Sequence, residues 1–320
     1  KRYLLNIFLI KDKKLLAREK SQSVMESVGD HILHHISNSS LEKDLIFELP
    51  TIFGINFSVT KHVLMIWLSC LIVSLIVIIP TRIYIKSKNK VPSGMSNALE
   101  AVVSFIKDSI VKPNIGSKWS DTWTPLILTY FFFILVANGI GLIPIFDFIG
   151  ASSRFIFGLK YGEDAFVNNL LHGGATATGN FWVTSALSFI TFISIIIAGT
   201  MAHGFINHWK NIVPKGLAWP VYIILIPIEI IGMFVKPFAL TMRLAANMTG
   251  GHIAILAILS FIAIFAEVFK TSMAGFGIAL FAVPLVSAIT GLEIIVTIVQ
   301  AYVFTLLSAV FIGMAINVHH

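Results

Sequence analysis

Three ionisable side chains recur at seven-residue intervals within an apolar stretch: Glu229, Lys236 and Arg243, with Asn247 four residues further on. Because seven residues make almost two full helical turns, all four side chains share one face of an α-helix. An ionisable group at the centre of a bilayer costs at least about 2.5–3.5 kcal/mol on insertion scales, so this face must look onto protein or water. The pattern is typical of an ion path, or of internal charge pairing that only fastens helices together.

A second apolar stretch carries Glu293 and Gln300, again seven residues apart. If the two stretches are antiparallel helices with Gln300 level with Arg243, Glu293 lies about 10 Å and His252 about 13 Å from that level, on the same side. Glu229 lies about 21 Å away on the other side. Alone, His252 could equally be a core histidine with its hydrogen bonds satisfied. The depths predict an acid–imidazole pair and a polar path that Arg243 divides into two parts.

The composition excludes a soluble globular protein. Hydrophobic residues make up 56% of the chain and charged residues 12%, whereas a soluble domain has about 25% charged residues. The net charge of +7 comes mainly from the N-terminal region and from residues 82–118. No aromatic side chains alternate with these basic residues, so membrane lipid is the expected partner and nucleic acid is not.

Hydropathy predicts three ordinary transmembrane helices, over 63–79, 124–146 and 181–202. Residues 92–121 have apolar side chains at helical spacing and are predicted to form an amphipathic helix on the membrane surface. The basic residues of 81–121 place this connection on the cytoplasmic side. The loop 147–180 is then outside, and so is the polar N-terminal extension. Its lysines conflict with this placement, so either the extension is translocated regardless of charge or the orientation is inverted.

The last hundred residues contain two apolar stretches, 217–269 and 271–318, which are each about twice as long as an ordinary span. Each is either a pair of upright spans or one long tilted helix. Hydropathy alone favours the pair of spans, whereas the lack of a turn cluster at either midpoint favours the long helix. We therefore expect an all-α integral membrane protein whose C-terminal part is a pair of long, strongly tilted antiparallel helices. The expected organisation is 1–61 as the polar extension, 62–216 as the transmembrane and interfacial helices, and 217–320 as the ion-path core.

Two segments resemble the signatures of subunit a of the F-type ATP synthase. The first is Lys236-Pro-Phe-Ala-Leu-Thr-Met-Arg243-Leu-Ala-Ala-Asn247-Met-Thr-Gly-Gly-His252, and the second is Glu293-Ile-Ile-Val-Thr-Ile-Val-Gln300 with the residues that follow. Asn138-Gly-Ile-Gly-Leu-Ile-Pro144 and Thr178-Gly-Asn180 are also similar to the family's pattern. The resemblance covers roughly 60–320, with both signatures in order. Some family members have Glu and His where this chain has His252 and Glu293.

The resemblance implies a stator subunit that lies against a rotating ring of c subunits and provides two offset aqueous half-channels for protons. It implies that Arg243 is the essential charge between the half-channels and that Asn247 and Gln300 orient it. It further implies that His252 and Glu293 form the outer relay, that Glu229 and Lys236 serve the inner half-channel, and that Asn138 lines the water path. The implied partners are the c-ring, the peripheral-stalk b subunits, the remaining ATP synthase subunits and membrane lipid.

The sequence has no P-loop, no paired catalytic carboxylates and no cysteine–histidine set with metal spacing, so we expect no cofactor, no metal and no catalytic residue. The ATP chemistry is expected on partner subunits. An ion-coupled secondary transporter or channel subunit is the alternative, but a transporter should contain two related halves, and no internal repeat is present. The expected location is the bacterial inner (plasma) membrane, with the mitochondrial inner membrane as the alternative.

Overall fold

The computed structural model describes residues 45–47, 49–52, 55–56, 58–86, 91–142, 176–210 and 219–317. Helices dominate these residues, and five of them are long and apolar enough to cross a membrane. The prediction of an all-α membrane protein is confirmed, and the chain is a multi-pass membrane protein. Most of the predicted N-terminal extension and of the loop 147–180 lies outside the described residues.

Eight α-helices are described: α1 Lys61–Lys86, α2 Met95–Phe105, α3 Lys112–Ile115, α4 Ser117–Leu142, α5 Phe181–His203, α6 Phe205–Lys210, α7 Trp219–Val268 and α8 Ser272–Ile316. A π-helical segment, Ile106–Val111, joins α2 to α3, and a 3-10 turn, Ala177–Gly179, precedes α5. The side chain of Asn180 caps α5 by accepting from the Trp182 backbone N–H. Since α7 and α8 are each one continuous helix, the prediction of two long helices is confirmed, and the alternative of four upright spans is not.

Short β pairs precede α1, and the sequence did not predict them. Strand β1, Leu45–Phe47, pairs antiparallel with β4, Val59–Thr60. Between them, β2, Thr51–Ile52, pairs antiparallel with β3, Ile55–Asn56. Strands of two or three residues are too short for the period-two alternation by which a strand is recognised.

By their contacts the described residues form two compact units, Thr249–Ile295 and a larger one that contains the remainder. The larger unit has a core between α4, α5, the π-helical segment, and the parts of α7 and α8 that belong to it. Leu240, Leu244 and Met248 enter this core at intervals of one helical turn. The tyrosine ring of Tyr130 on α4 meets Phe304 on α8 edge to face, with centroids 5.5 Å apart.

The predicted amphipathic helix is present, with a local widening that changes which side chains it buries. The Lys112 N–H donates to the Lys107 carbonyl, an i→i−5 bond, in the turn just before Pro113, which has no N–H. Because one residue is added to this turn, the neighbours Ile110 and Val111 are both fully buried, together with Ile106 and Ile115. The segment is therefore fixed firmly against the core.

The smaller unit is an antiparallel helical hairpin formed by the end of α7 and the first half of α8. Its turn contains Lys270 at a φ of 51°, a left-handed conformation that ends many helices. The Thr271 N–H donates to the Ala266 carbonyl over 3.2 Å. A Cβ on Gly275 would lie 3.0 Å from the Cβ of Ala266, so glycine permits the close approach of the two helices.

Candidate functional site

Asn247 and Gln300 meet across α7 and α8 within the larger unit. The Asn247 Nδ2–H donates to Gln300 Oε1 over 3.0 Å. Gln300 is 3% exposed, and its Nε2 has no hydrogen-bond partner among the described residues. A buried amide donor without a partner costs free energy unless water or a ligand accepts from it. The site thus has one donor available for a water molecule or an approaching anion.

Arg243 lies one helical turn before Asn247 and is exposed. The neighbouring Leu240 and Leu244 are buried, so the core holds α7 with Arg243 on the outer side. Within the part of the chain that the structure describes, no hydrogen bond or ion pair engages its guanidinium. An unpaired guanidinium on a membrane-length helix is costly next to lipid, so this surface calls for an anionic partner or water.

Glu229 and Lys236 are both half-buried on α7, in the larger unit. The Lys236 ammonium lies 5.8 Å from the centre of the Phe311 ring on α8, a cation–π distance. No hydrogen bond to the Glu229 carboxylate occurs among the described residues. The structure therefore does not bring Glu229, Lys236 and Arg243 into mutual ion pairs, which disfavours the alternative that these charges only fasten helices together.

His252 and Glu293 form a hydrogen-bonded pair in the smaller unit. His252 Nδ1 and Glu293 Oε1 are 3.0 Å apart, on the two arms of the hairpin. Glu293 is 3% exposed and its Oε2 has no partner among the described residues, whereas His252 is partly accessible. The pair has one acceptor left, and an imidazole next to a carboxylate can pass a proton between solvent and a buried acid.

Gly251 makes room for this carboxylate. A Cβ on Gly251 would lie 2.5 Å from Glu293 Oε1 and 2.8 Å from its Cδ, whereas a Cβ on Gly250 would meet nothing within 4 Å. The first of the two consecutive glycines is therefore free of contact and the second is in contact with the acid. The sequence alone did not distinguish their roles.

Asn138 is fully buried on α4 and accepts a hydrogen bond from the Thr178 hydroxyl. Its Nδ2 has no partner among the residues described. Close to this pair, a Cβ on Gly141 would overlap the Thr176 side chain. Two of the segments that carried the resemblance, one containing Asn138 and the other Thr178, are thus in contact in the structure.

The site residues predicted from the sequence did not include a row of buried hydroxyl groups on α5. Thr184, Ser188, Thr191 and Ser194 recur at intervals of four, three and three residues, so they lie on one helix face. Thr191 Oγ1 is 3.4 Å from the hydroxyl of Ser308 on α8. The helical spacing of the four residues was the signal that could have identified them.

At the other end of α5, His208 of α6 is buried over Gly199, where a Cβ would overlap the imidazole ring. Burial lowers the pKa of His208, and the nearby His203 lowers it further. On the interfacial segment, the pKa of Lys107 is raised by its hydrogen bond to Asp121, 2.8 Å away. These groups lie outside the predicted ion path.

Residues 63–313 match the family model described as ATP synthase A chain. The chain is 40% identical to "ATP synthase subunit a 2" of Chlorobium luteolum over 91% of its own length and 76% of that protein. It is 38% identical to "ATP synthase subunit a 2" of Prosthecochloris aestuarii, over 91% and 80% of the two lengths. It is also 36% identical to "ATP synthase subunit a" of Anaeromyxobacter dehalogenans, over 92% and 72%.

The chain belongs to the ATP synthase A chain family. The match to the ATP synthase A chain model includes α7 and nearly all of α8, and so it includes both polar pairs. Family membership associates the chain with ATP synthesis and proton transport by a membrane-embedded complex of several subunits. It also places the chain in the F-type membrane sector.

Proposed function

We propose that the chain is a stator subunit that carries protons between the two sides of the membrane and the carboxylates of a rotating ring of c subunits. The proposal rests on one observation above all: Arg243 is exposed on a membrane-length helix, without an anionic partner among the described residues, one turn from the Asn247–Gln300 pair. A carboxylate supplied by a neighbouring subunit would satisfy this charge.

The role assigned to Arg243 follows from the chemistry of its side chain. A guanidinium stays charged in proteins, and its planar fork can donate two parallel hydrogen bonds to one carboxylate. An adjacent positive charge lowers the pKa of a carboxylic acid, so an arriving ring carboxyl gives up its proton. The fixed charge also repels a proton that would otherwise pass directly from one half-channel to the other.

Asn247 and Gln300 are proposed to orient Arg243 and the ring carboxylate. Their side chains are neutral, so they add no competing charge. The Asn247–Gln300 bond fixes the Gln300 amide and leaves its Nε2 as the free donor for water or for a carboxylate oxygen. A donor already in place costs no reorganisation when the anion arrives.

His252 and Glu293 are proposed as the relay of the outer half-channel. The partly accessible imidazole would take a proton from water and pass it to the buried carboxylate, whose Oε2 is free to hand it on. Asn138, with Thr178, would line the water path. Glu229 and Lys236 would serve the inner half-channel.

We further propose the c-ring, the peripheral-stalk b subunits and the remaining ATP synthase subunits as partners, with membrane lipid around the exposed apolar faces. The bacterial plasma membrane is the proposed location, supported by the bacterial sources of the similar proteins. The domain roles proposed are 62–216 as the helical support and 217–320 as the ion-path core.

The test is replacement of Arg243 by Ala in the assembled ATP synthase, with ATP-driven proton pumping measured in inverted vesicles. The variant R243A is expected to lose coupled pumping. The matched control is R82A, since Arg82 is also exposed but lies at the end of α1, away from the proposed site. Coupled pumping by R243A at the control's rate would overturn the proposal.

A further inference from the structure

The C-terminal end of α8 is held by side-chain hydrogen bonds to helix-terminal carbonyl groups. The last carbonyls of an α-helix have no donor within their own helix. Asn317 Nδ2, just past the end of α8, donates to the carbonyls of Asn114 and Ile115 at the end of α3, over 3.2 and 3.4 Å. In the same region, His203 Nε2 lies 2.8 Å from the Ile316 carbonyl, which accepts from it.

Gly313 allows α8 to lie close to the end of α3. A Cβ at Gly313 would overlap the Asn114 carbonyl, so any larger residue would push the two helices apart. Asn317, His203 and Gly313 together are called the carbonyl anchor below. Through it, the end of α8 is joined both to α3 and to the end of α5, at a place where each helix needs hydrogen-bond donors.

The carbonyl anchor is attached to a rigid support. Ile110, Val111 and Ile115 are fully buried, so the carbonyls that accept from Asn317 cannot shift without disturbing the core. From Gln300 to Ile316, α8 is one uninterrupted helix, about 24 Å long at 1.5 Å per residue. A shift of the C-terminal end of α8 along the helix axis therefore moves Gln300 by a similar distance.

The Asn247–Gln300 hydrogen bond tolerates little movement. At 3.0 Å it is close to the ideal donor–acceptor distance, and a shift of about 1 Å would break it. We infer that Asn317, His203 and Gly313 are positioning residues. They fix the depth of Gln300 beside Arg243 against the force that the rotating ring of c subunits exerts on α8. The inference rests on the proposed function, because only a load-bearing site needs α8 fixed along its axis.

The experiment compares N317D and the double variant N317D/H203L with the wild type in the assembled complex. Aspartate has nearly the shape of asparagine but lacks the amide donor. Leucine at 203 has no donor for the Ile316 carbonyl. We expect normal amounts of the subunit in the membrane and, for N317D, about a fivefold loss of protons pumped per ATP hydrolysed, as for one lost side-chain donor. The loss in the double variant is expected to be larger. N317Q, which keeps the carboxamide donor, is expected to recover most of the coupling.

The axial position of α8 in cryo-EM maps is the second readout, because a merely stabilising contact would not change it. G313A tests the carbonyl anchor without removing a donor, and G277A is its control, since a Cβ at Gly277 meets nothing within 4 Å. We expect G313A to displace α8 and G277A to leave it in place. Unchanged coupling and an unmoved α8 in N317D/H203L and G313A would overturn the inference.

R243A in the same vesicles separates the two claims. If R243A abolishes pumping while the anchor variants behave like the wild type, only the positioning role fails. If R243A itself pumps normally, the proposed function fails. Should the double variant not assemble, N317D and G313A alone still decide the matter through the map and the coupling ratio.

Discussion

The backbone of Gly251 lies against the carboxylate of Glu293, so closely that a methyl group at residue 251 would come within 2.5 Å of Oε1. The same carboxylate is bonded to His252, the next residue along α7. One helical segment therefore supplies both the partner of the acid and the space that the acid occupies. A change at Gly251 should act on proton transfer through Glu293, without removing any titratable group.

Replacing Gly251 by Ala should displace the Glu293 carboxylate and weaken its bond to His252. Overpacking of this kind costs about 1–3 kcal/mol, so we expect ATP-driven proton pumping to fall by a factor of about five to on the order of a hundred. G250A is the matched control, since a Cβ there meets nothing within 4 Å. Equal pumping by the two variants would contradict the contact.

The pair of His252 and Glu293 should tolerate exchange better than loss of either member. E293Q keeps the shape of the side chain but cannot titrate, and H252A removes the imidazole, so each is expected to reduce pumping by at least tenfold. The double variant H252E/E293H restores one acid and one imidazole and should recover part of the activity. A double variant that is no better than the single ones would argue against a relay that depends on the pair.

The Asn247–Gln300 bond should contribute to coupling by about one hydrogen bond. N247A removes the donor to Gln300 Oε1, and a loss of about 1 kcal/mol corresponds to roughly a fivefold drop in proton pumping. N247A/Q300A should then cost less than the sum of the two single changes, as measured in a double-mutant cycle. Strict additivity would show that the two side chains act independently.

His208 should make the packing of α6 on α5 sensitive to pH. Because burial holds the pKa of His208 below the ordinary value of 6.5, the unfolded segment binds a proton more readily than the folded one. The packing is therefore stable above about pH 6.5 and weakens as the pH falls toward the lowered value. Hydrogen–deuterium exchange of residues 205–210, corrected for the intrinsic rate, should rise as the pH is lowered through this range. In H208Q the rise should disappear, and its persistence there would assign the pH effect to another group.

The sequence predicted the long helices well because their signal is continuous. Hydropathy alone favoured two spans in each of the stretches 217–269 and 271–318, and the lack of a turn cluster at their midpoints was the signal that predicted one helix in each. The sequence analysis set Gln300 level with Arg243, whereas in the structure Gln300 bonds to Asn247, one helical turn further along α7. Prediction was poorer where structure depends on neighbours. The short strands β1–β4 have no periodicity of their own, and α4 begins at Ser117, seven residues earlier than predicted.

Details of packing could not be predicted for the same reason. The π-helical turn at Ile106–Val111 decides that the neighbours Ile110 and Val111 are both buried, which regular helical spacing does not predict. The contact of Gly251 with Glu293, and of Asn317 with α3, joins residues far apart in the chain. Spacing along one helix contains no information about such contacts.

The exposed guanidinium of Arg243 has a consequence for biogenesis. Without the proposed neighbouring subunit, a newly inserted chain leaves this charge facing lipid, at a cost of at least about 2.5–3.5 kcal/mol. Since each 1.4 kcal/mol is a factor of ten, the unassembled chain is disfavoured in the bilayer by on the order of a hundredfold. If the proposed function holds, Arg243 favours insertion of the chain next to a subunit that already supplies a carboxylate.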